Sequence, residues 1–352
     1  MRPAPRRECF PAYPAAWYLF GALRELRGGP LSRTLLGRRL VAFRTRSGRL
    51  VALDARCGHL GADLGRGQVV GEGIRCPFHH WTYGTDGRCL HLPGVRNVPS
   101  FARQQCYPLV ERHGFLFVFN GPEPLFPLPF FFDADPAEFV AGTPFRFVAD
   151  CTWYLLAANG FDGAHFQAVH DRTLLCPPEV DCPAPYARRI RYLAQVTGQS
   201  VFDRLIRRFA GQVVKVSITS WGGPLILVTG FFRRVQSYIL IASQPLGDEK
   251  TLVEVIVFAR RRSHSLVAAL LNPLALWIRR CFTRGFLQDD IDLLQGIRYN
   301  PARLTAGDQV MIDFWNWVSA LPQNQTDTRN LDHEGPEPAD VEWSDPDVAL
   351  AP

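Results

Sequence analysis

Several things are missing from this 352-residue sequence, and each omission narrows what the chain can be. No secretion-type leader is expected. The basic start from Met1 to Arg7 runs into apolar residues broken by Pro11, Pro14 and Arg24, so no continuous hydrophobic segment forms and a cytoplasmic protein is expected. There is no disulfide framework either: the nine cysteines are odd in number and scattered over a long chain. Most are expected to be buried thiols, with two needing a different explanation. No internal repeat and no recognised nucleic-acid module are visible, so nucleic acid is not an expected partner. Glycine does not mark a dinucleotide site, because Gly65, Gly67 and Gly71 lack the G-x-G-x-x-G spacing. The sequon Asn324-Gln325-Thr326 carries no weight in a chain that is not exported.

What is present is the balance of a soluble globular protein, 47% apolar and 20% charged, with length for two domains that each bury a core. Net charge is +6, yet residues 321–352 hold eight acidic residues against Arg329. The body before them keeps 38 of the 39 basic and 25 of the 33 acidic residues, a net +13. Such a body suits an acidic redox partner or an anionic membrane surface.

Residues 1–122 read as a small all-β domain. Leu40 to Phe43 and Leu50 to Asp54 flank Thr45-Arg46-Ser47-Gly48 as a hairpin, and Phe115 to Phe119 is a further strand. Pro122, Pro124, Pro127 and Pro129 mark a connector, Gly121 to Pro129. Residues 123–320 mix helix signals, Tyr154 to His165 and Ser265 to Arg298, with strand-like runs Val213 to Trp221, Leu225 to Phe232, Tyr238 to Ser243 and Leu252 to Phe258. That is an α+β domain ending in a long helix. Residues 321–352 are acidic and polar, and disorder is expected there. Leu266 to Phe282 is apolar, broken by Asn272-Pro273 and flanked by Arg260-Arg261-Arg262 and Arg279-Arg280; it is read as a buried lid helix, with peripheral membrane contact as the second reading.

Cys57-Gly58-His59 and Cys76-Pro77-Phe78-His79 give C-x-H and C-x2-H, sixteen residues apart. Two thiolates and two imidazoles in paired loops are what a Rieske-type [2Fe-2S] cluster needs, with Cys57 and Cys76 on one iron and His59 and His79 on the other. Zinc normally takes its cysteines as one pair and its histidines as another, and here each half supplies one of each. Pro77, Phe78 and Trp81 are expected to shield the cluster, and His80 to point away as a surface residue.

A second donor group lies in Asn159-Gly-Phe-Asp162-Gly-Ala-His165-Phe-Gln-Ala-Val-His170. Two histidines and one carboxylate on one face suit a mononuclear Fe(II) that keeps positions open for O2. On a continuous helix His165 and His170 would lie roughly 140° apart, so they converge only if the helix distorts or ends between them. Asp162 is placed to orient an imidazole. The third ligand must come from Phe286 to Ile297, where Asp290 shares a stripe with Phe286, Leu293 and Ile297 while Asp289 and Asp292 lie on the other side. A buried carboxylate needs a partner, so Asp290 is the expected ligand with Asp289 in reserve.

The order of these motifs resembles the catalytic subunit of Rieske non-haem iron oxygenases over residues 15–315. Tyr13-Pro14, Trp17-Tyr18, Leu53-Asp54-Ala55-Arg56-Cys57 and Asp290-Ile-Asp-Leu-Leu are most similar to the ketosteroid 9α-hydroxylase and cholesterol 7-desaturase types. The resemblance implies a helix-grip second domain, an antiparallel sheet around a long helix. It implies a head-to-tail homotrimer, with Asp162 linking a cluster histidine of one subunit to an iron histidine of the next. It also implies a bulky apolar substrate with O2, and electrons from a separate NAD(P)H-dependent reductase, directly or through a ferredoxin. Relatives often have Gly at His80. The same iron chemistry could give hydroxylation, desaturation, demethylation or oxidative cyclisation. The rival is a non-catalytic Rieske electron carrier fused to a lipid-binding domain.

Overall fold

The computed structural model describes residues 3–247, 249–261 and 266–324. The expected hairpin is present: Arg38–Arg44 pairs with Leu50–Asp54, Phe43 opposite Val51, in a four-stranded sheet completed by Leu31–Leu35 and Cys106–Tyr107. A second four-stranded sheet runs Gln68–Val70, Gly73–Arg75, Thr82–Tyr83, Cys89–His91. Phe115–Phe119 sits between Trp17–Ala22 and Leu109–Arg112 and is buried at every position, as a strand covered on both faces must be.

The second unit is built on a nine-stranded antiparallel sheet whose centre is Lys250–Arg260, Gln236–Gly247, Leu225–Phe232, Val213–Trp221 and Ala187–Val196. Side chains alternate across it. Leu225, Leu227, Tyr238, Leu240, Ile256 and Phe258 pack against Trp17, Phe117 and Phe119 of the first unit. The intervening positions, including Ile218, Ile226, Ile239, Ile241, Val253 and Val255, face the other way.

One apolar core therefore crosses the boundary expected at residue 122. The connector is a fastened seam: Phe126, Leu128 and Phe131 are buried in that core, the Trp17 indole donates to the Phe126 carbonyl (2.9 Å), and the Arg112 guanidinium donates to the Leu128 carbonyl (2.8 Å). The N-terminal stretch also crosses over. Phe10 stacks on Tyr154 with centroids 3.9 Å apart, and Tyr299 Oη donates to the Pro5 carbonyl (2.7 Å). Residues 321–324 are packed rather than loose, since Leu321 and Asn324 are buried and the Pro322 carbonyl accepts from Ala15 N (2.8 Å). The rest of the expected tail, 325–352, lies outside the described residues.

Five α-helices are described: α1 (Trp153–Asn159), α2 (Gly163–Ala168), α3 (Val201–Phe209), α4 (Leu266–Leu293) and α5 (Gln309–Ser319). The helix expected over Tyr154 to His165 is thus two, because Gly160 ends the first and the Asp162 side chain caps the second. Helix α5 has no counterpart in the sequence reading, although Ile312, Trp315 and Val318 show its buried i, i+3 stripe.

The buried-lid reading of Leu266 to Phe282 is corrected for the residues whose side chains are described. Leu274, Trp277 and Ile278 are 51%, 60% and 41% exposed, because α4 covers the sheet with one face and nothing among the described residues covers the other. No helix among the described residues is long and apolar enough to cross a membrane. The expectation that most cysteines are buried is corrected too: Cys57, Cys76, Cys89 and Cys151 are buried, whereas Cys9, Cys176, Cys182 and Cys281 are exposed on surface segments.

Two candidate metal centres and an apolar cavity

The first centre is made by two loops. Cys57 and His59 follow the strand Leu50–Asp54, in a turn closed by Cys57 N donating to the Ala62 carbonyl (2.9 Å) and Gly61 N to the Cys57 carbonyl (2.8 Å). Cys76 and His79 sit between Gly73–Arg75 and Thr82–Tyr83, where Cys76 N donates to the Trp81 carbonyl (2.8 Å). Both thiols belong to a core with Phe43, Leu53, Ile74 and Trp81, whereas His59 and His79 are exposed with ring centroids 4.7 Å apart. Burial pushes the Cys57 thiol up, so its thiolate needs a bound cation to hold it. Two thiols inside and two imidazoles outside fit a [2Fe-2S] cluster bound through two cysteines and two histidines.

The shielding expected from Pro77 and Phe78 is corrected, because Pro77 is exposed and Phe78 is 60% exposed; the turn is too short to fold them inward. Trp81 does shield the site, stacked on His59 with centroids 4.7 Å apart and planes 5° from parallel. His80 is exposed as expected, and its φ of 60° is the left-handed region where glycine fits without strain. Sequence reasoning missed Tyr83, whose Oη lies 3.2 Å from Cys57 Sγ within the buried core. A Tyr two residues past a Trp in a strand next to the second ligand loop was the available signal.

The second centre assembles from α2 and α4. Asp162, in extended backbone, accepts from His165 N (3.0 Å) and starts α2; the helix then ends at Ala168, which lets His170 turn back. His165 Nε2 is 2.7 Å from Asp290 Oδ1 and His170 Nε2 is 3.2 Å from Oδ2. The three donor atoms lie within 4.8 Å of one another. Asp290 is buried, which opposes its ionisation, but the hydrogen bonds and charges of His165 and His170 outweigh burial and hold its carboxyl well below the usual range. Asp289 is exposed and stands outside the group. Two imidazoles and an ionised carboxylate are the donor set that Fe(II) takes in O2-activating sites.

The stripe expected beside Asp290 is partly corrected. Phe286 does face inward, stacked on His170 (4.1 Å, 14°), but Leu293 is 52% and Ile297 40% exposed. Leu294 is the buried residue instead, because α4 ends at Leu293 and the chain turns there. His170 is held further by Arg172, whose Nη1 donates to its carbonyl (2.6 Å) and whose Nη2 pairs with buried Asp203 (2.8 Å). Asp162 contacts His165 through the backbone rather than the ring. Asn159 was not singled out from sequence; its Nδ2 donates to Asp290 Oδ1 (2.8 Å) and lies 3.2 Å from His165 Nε2. Its position at the last turn of α1, before the Gly160 break, was the only hint.

Both histidines and Asp290 border a cavity of about 1400 Å³ between the inner face of the large sheet and helices α3 and α4. Its walls are Ile218, Ile226, Val228, Ile239, Ile241 and Val255, the inward positions of four strands.

Residues 16–102 match the family described as the Rieske [2Fe-2S] domain. The chain is 38% identical over 166 residues to aminopyrrolnitrin oxygenase of Pseudomonas fluorescens, covering 44% of this chain and 46% of that protein. It is 42% identical over 108 residues to the oxygenase component of 3-ketosteroid-9-alpha-monooxygenase of Rhodococcus rhodochrous (30% and 28% covered). It is 34% identical over 171 residues to cholesterol 7-desaturase of Xenopus laevis (47% and 38%). The chain spans less than half the length of each of these relatives. Among solved structures, NdmA of Pseudomonas putida CBB5 with caffeine superposes at TM-score 0.62 with 21% identity over 86% of this chain and 89% of that one. Dicamba monooxygenase bound to dicamba gives 0.58 with 20% identity over 86% and 96%. At that identity the likeness is one of fold. The chain carries a Rieske [2Fe-2S] domain, joined to a second unit with which it shares the overall fold of NdmA and dicamba monooxygenase.

Proposed function

We propose that this chain is the oxygenase component of a Rieske non-haem iron system, a monooxygenase or hydroxylase acting on a bulky apolar substrate of polycyclic or steroid-like shape. One observation carries the reading: a three-donor metal site opens onto an apolar cavity of about 1400 Å³. Pockets for small ligands usually measure roughly 300–1,000 Å³, so this one takes a body of several fused rings. When bound, the cluster supplies electrons one at a time and the ferrous ion activates O2.

The chain's own residues do the rest. The sheet's branched side chains hold the substrate body and exclude water. Asn159 and the two imidazoles fix the Asp290 carboxylate, and Phe286 with Arg172 fixes His170. The reading extends to a head-to-tail homotrimer, supported by the uncovered cluster tip where Leu60 and Phe78 are 65% and 60% exposed beside His59 and His79. The helix cap uses Oδ1 of Asp162, which leaves Oδ2 for a cluster histidine of the neighbouring subunit. Electrons come from a separate NAD(P)H-dependent reductase, directly or through a ferredoxin. A cytoplasmic location is part of the same reading, and the exposed Leu274, Trp277 and Ile278 support peripheral contact with a membrane surface.

The test uses protein reconstituted anaerobically with iron and supplied with a reductase. Polycyclic apolar compounds should stimulate its O2 uptake, and His165→Ala should abolish that stimulation while leaving the reduced cluster's paramagnetic signal intact. A non-catalytic carrier would show no substrate-stimulated uptake in the unmodified protein and would pass electrons equally well after the same substitution.

A further inference from the structure

The cavity is apolar in its middle but not at its far end. Arg233 and Arg234 at the turn after Leu225–Phe232, Arg260 and Arg261 at the end of Lys250–Arg260, and Arg279 on α4 all line it. They converge because Tyr238 pairs with Phe258, which brings that turn and that strand end to one edge of the sheet, and because Arg279 Nη2 reaches the Gln236 carbonyl across it (3.5 Å). The acidic side chains that line the cavity, Asp171, Asp203, Asp289 and Asp290, all lie toward the iron end or α3, and Asp203 is taken by Arg172. At the arginine edge Glu138 engages Arg260 (2.7 Å), while Arg233 and Arg261 form no ion pair among the described residues.

Two separate rulers measure the span. From Asp290 back to Arg279 along α4 is about 16 Å at ~1.5 Å per residue. Ile218 abuts Gly160, next to Asn159 at the metal site, and pairs with Val228; from Val228 to Arg233 is about 17 Å at ~3.4 Å per residue. Between the two ends the cross-strand pair Gly230 and Ser237 lines the cavity, and the Ser237 hydroxyl occupies the place a Cβ on Gly230 would need (2.6 Å).

We infer that the substrate is amphipathic: a rigid apolar body ending in a carboxylate or phosphate that Arg233 and Arg261 bind at the end of the cavity remote from the metal site. The inference rests on the cavity being the substrate site. Arg233 and Arg261 are exposed at this edge of the cavity, so a neutral ligand gains nothing from them, whereas an anion receives charge-assisted hydrogen bonds that solvent and salt attenuate but do not abolish, and these fix how deep the body enters. Arg233 and Arg261 are thus positioning residues, setting which carbon reaches the iron.

The test is equilibrium binding to the iron-loaded protein, with cholanic acid and its methyl ester as probes, so that turnover does not enter. The acid should bind about tenfold more tightly than the ester, with an advantage that shrinks as salt rises. Arg233→Gln combined with Arg261→Gln should bring the acid down to the ester's affinity and leave the ester's unchanged. Equal binding of acid and ester to the unmodified protein, or equal weakening of both by the substitutions, would overturn the anion site while leaving the apolar cavity as the substrate site. Failure of both compounds to bind would overturn the anion site and the cavity reading together.

Discussion

The two centres are built in opposite ways. At the first, the chain buries the thiols and leaves the imidazoles at the surface, on two short turns anchored by backbone hydrogen bonds. At the second, the carboxylate and His170 are both buried, and His165 sits on a short helix that ends before His170. The first is a rigid clip suited to a cluster that changes charge but not ligands. The second gathers three donors from distant segments and opens them onto a cavity, the arrangement that the proposed reaction with O2 and a substrate would need.

That contrast can be broken most severely at Asp290. Asp290→Asn should weaken ferrous binding by well over the ~100-fold that marks loss of an outer partner, while Asp289→Asn leaves it unchanged. Iron titration of the two variants with cluster content held equal reads this directly. A smaller loss, ~10–100-fold in iron affinity or activity, is expected for Asn159→Ala, which removes the amide from Asp290 but no ligand.

The first centre should respond in stability rather than in catalysis. Asp63 ties its loop down, accepting from Arg39 Nε (2.7 Å), Ser32 Oγ (2.9 Å) and Gly65 N (2.8 Å). Burial opposes its ionisation, but these partners prevail and hold its carboxyl below the ordinary range. Asp63→Ala should cost ~1–3 kcal/mol in chemical denaturation. Because the folded pKa is depressed, Asp63's contribution is complete above the unfolded value near ~3.9 and is lost as pH falls through the folded one. The smallest effect is expected at His80→Gly. Relief of the left-handed backbone, set against glycine's greater entropy in the unfolded chain, should give a gain of at most ~1 kcal/mol with the cluster spectrum unchanged.

The same contrast explains what could be read in the sequence. Cys57, His59, Cys76 and His79 lie within one local pattern whose residue types already specify a cluster, and the strand pattern around it gave the hairpin. His165 and His170 were legible as a pair, and Asp290 as a carboxylate needing a buried partner, although its neighbours were partly misassigned because helix periodicity cannot show where α4 stops. Asn159, Tyr83 and the arginine edge were hidden for another reason. Each acquires meaning only from residues far along the chain, Asp290, Cys57 and the paired ends of two strands and a helix. The prolines of 121–129 mark a break in hydrogen bonding, not in packing, so the burial of Phe126, Leu128 and Phe131 in the shared core could not be read from them.

The central claim, that one polypeptide holds a second iron apart from its cluster, is tested most directly by iron analysis with Mössbauer spectroscopy on anaerobically reconstituted protein. About one ferrous ion per chain should be found beyond the cluster pair, and it should disappear in Asp290→Asn while the cluster signal persists. A full cluster signal with no additional ferrous ion in the unmodified protein would contradict the account.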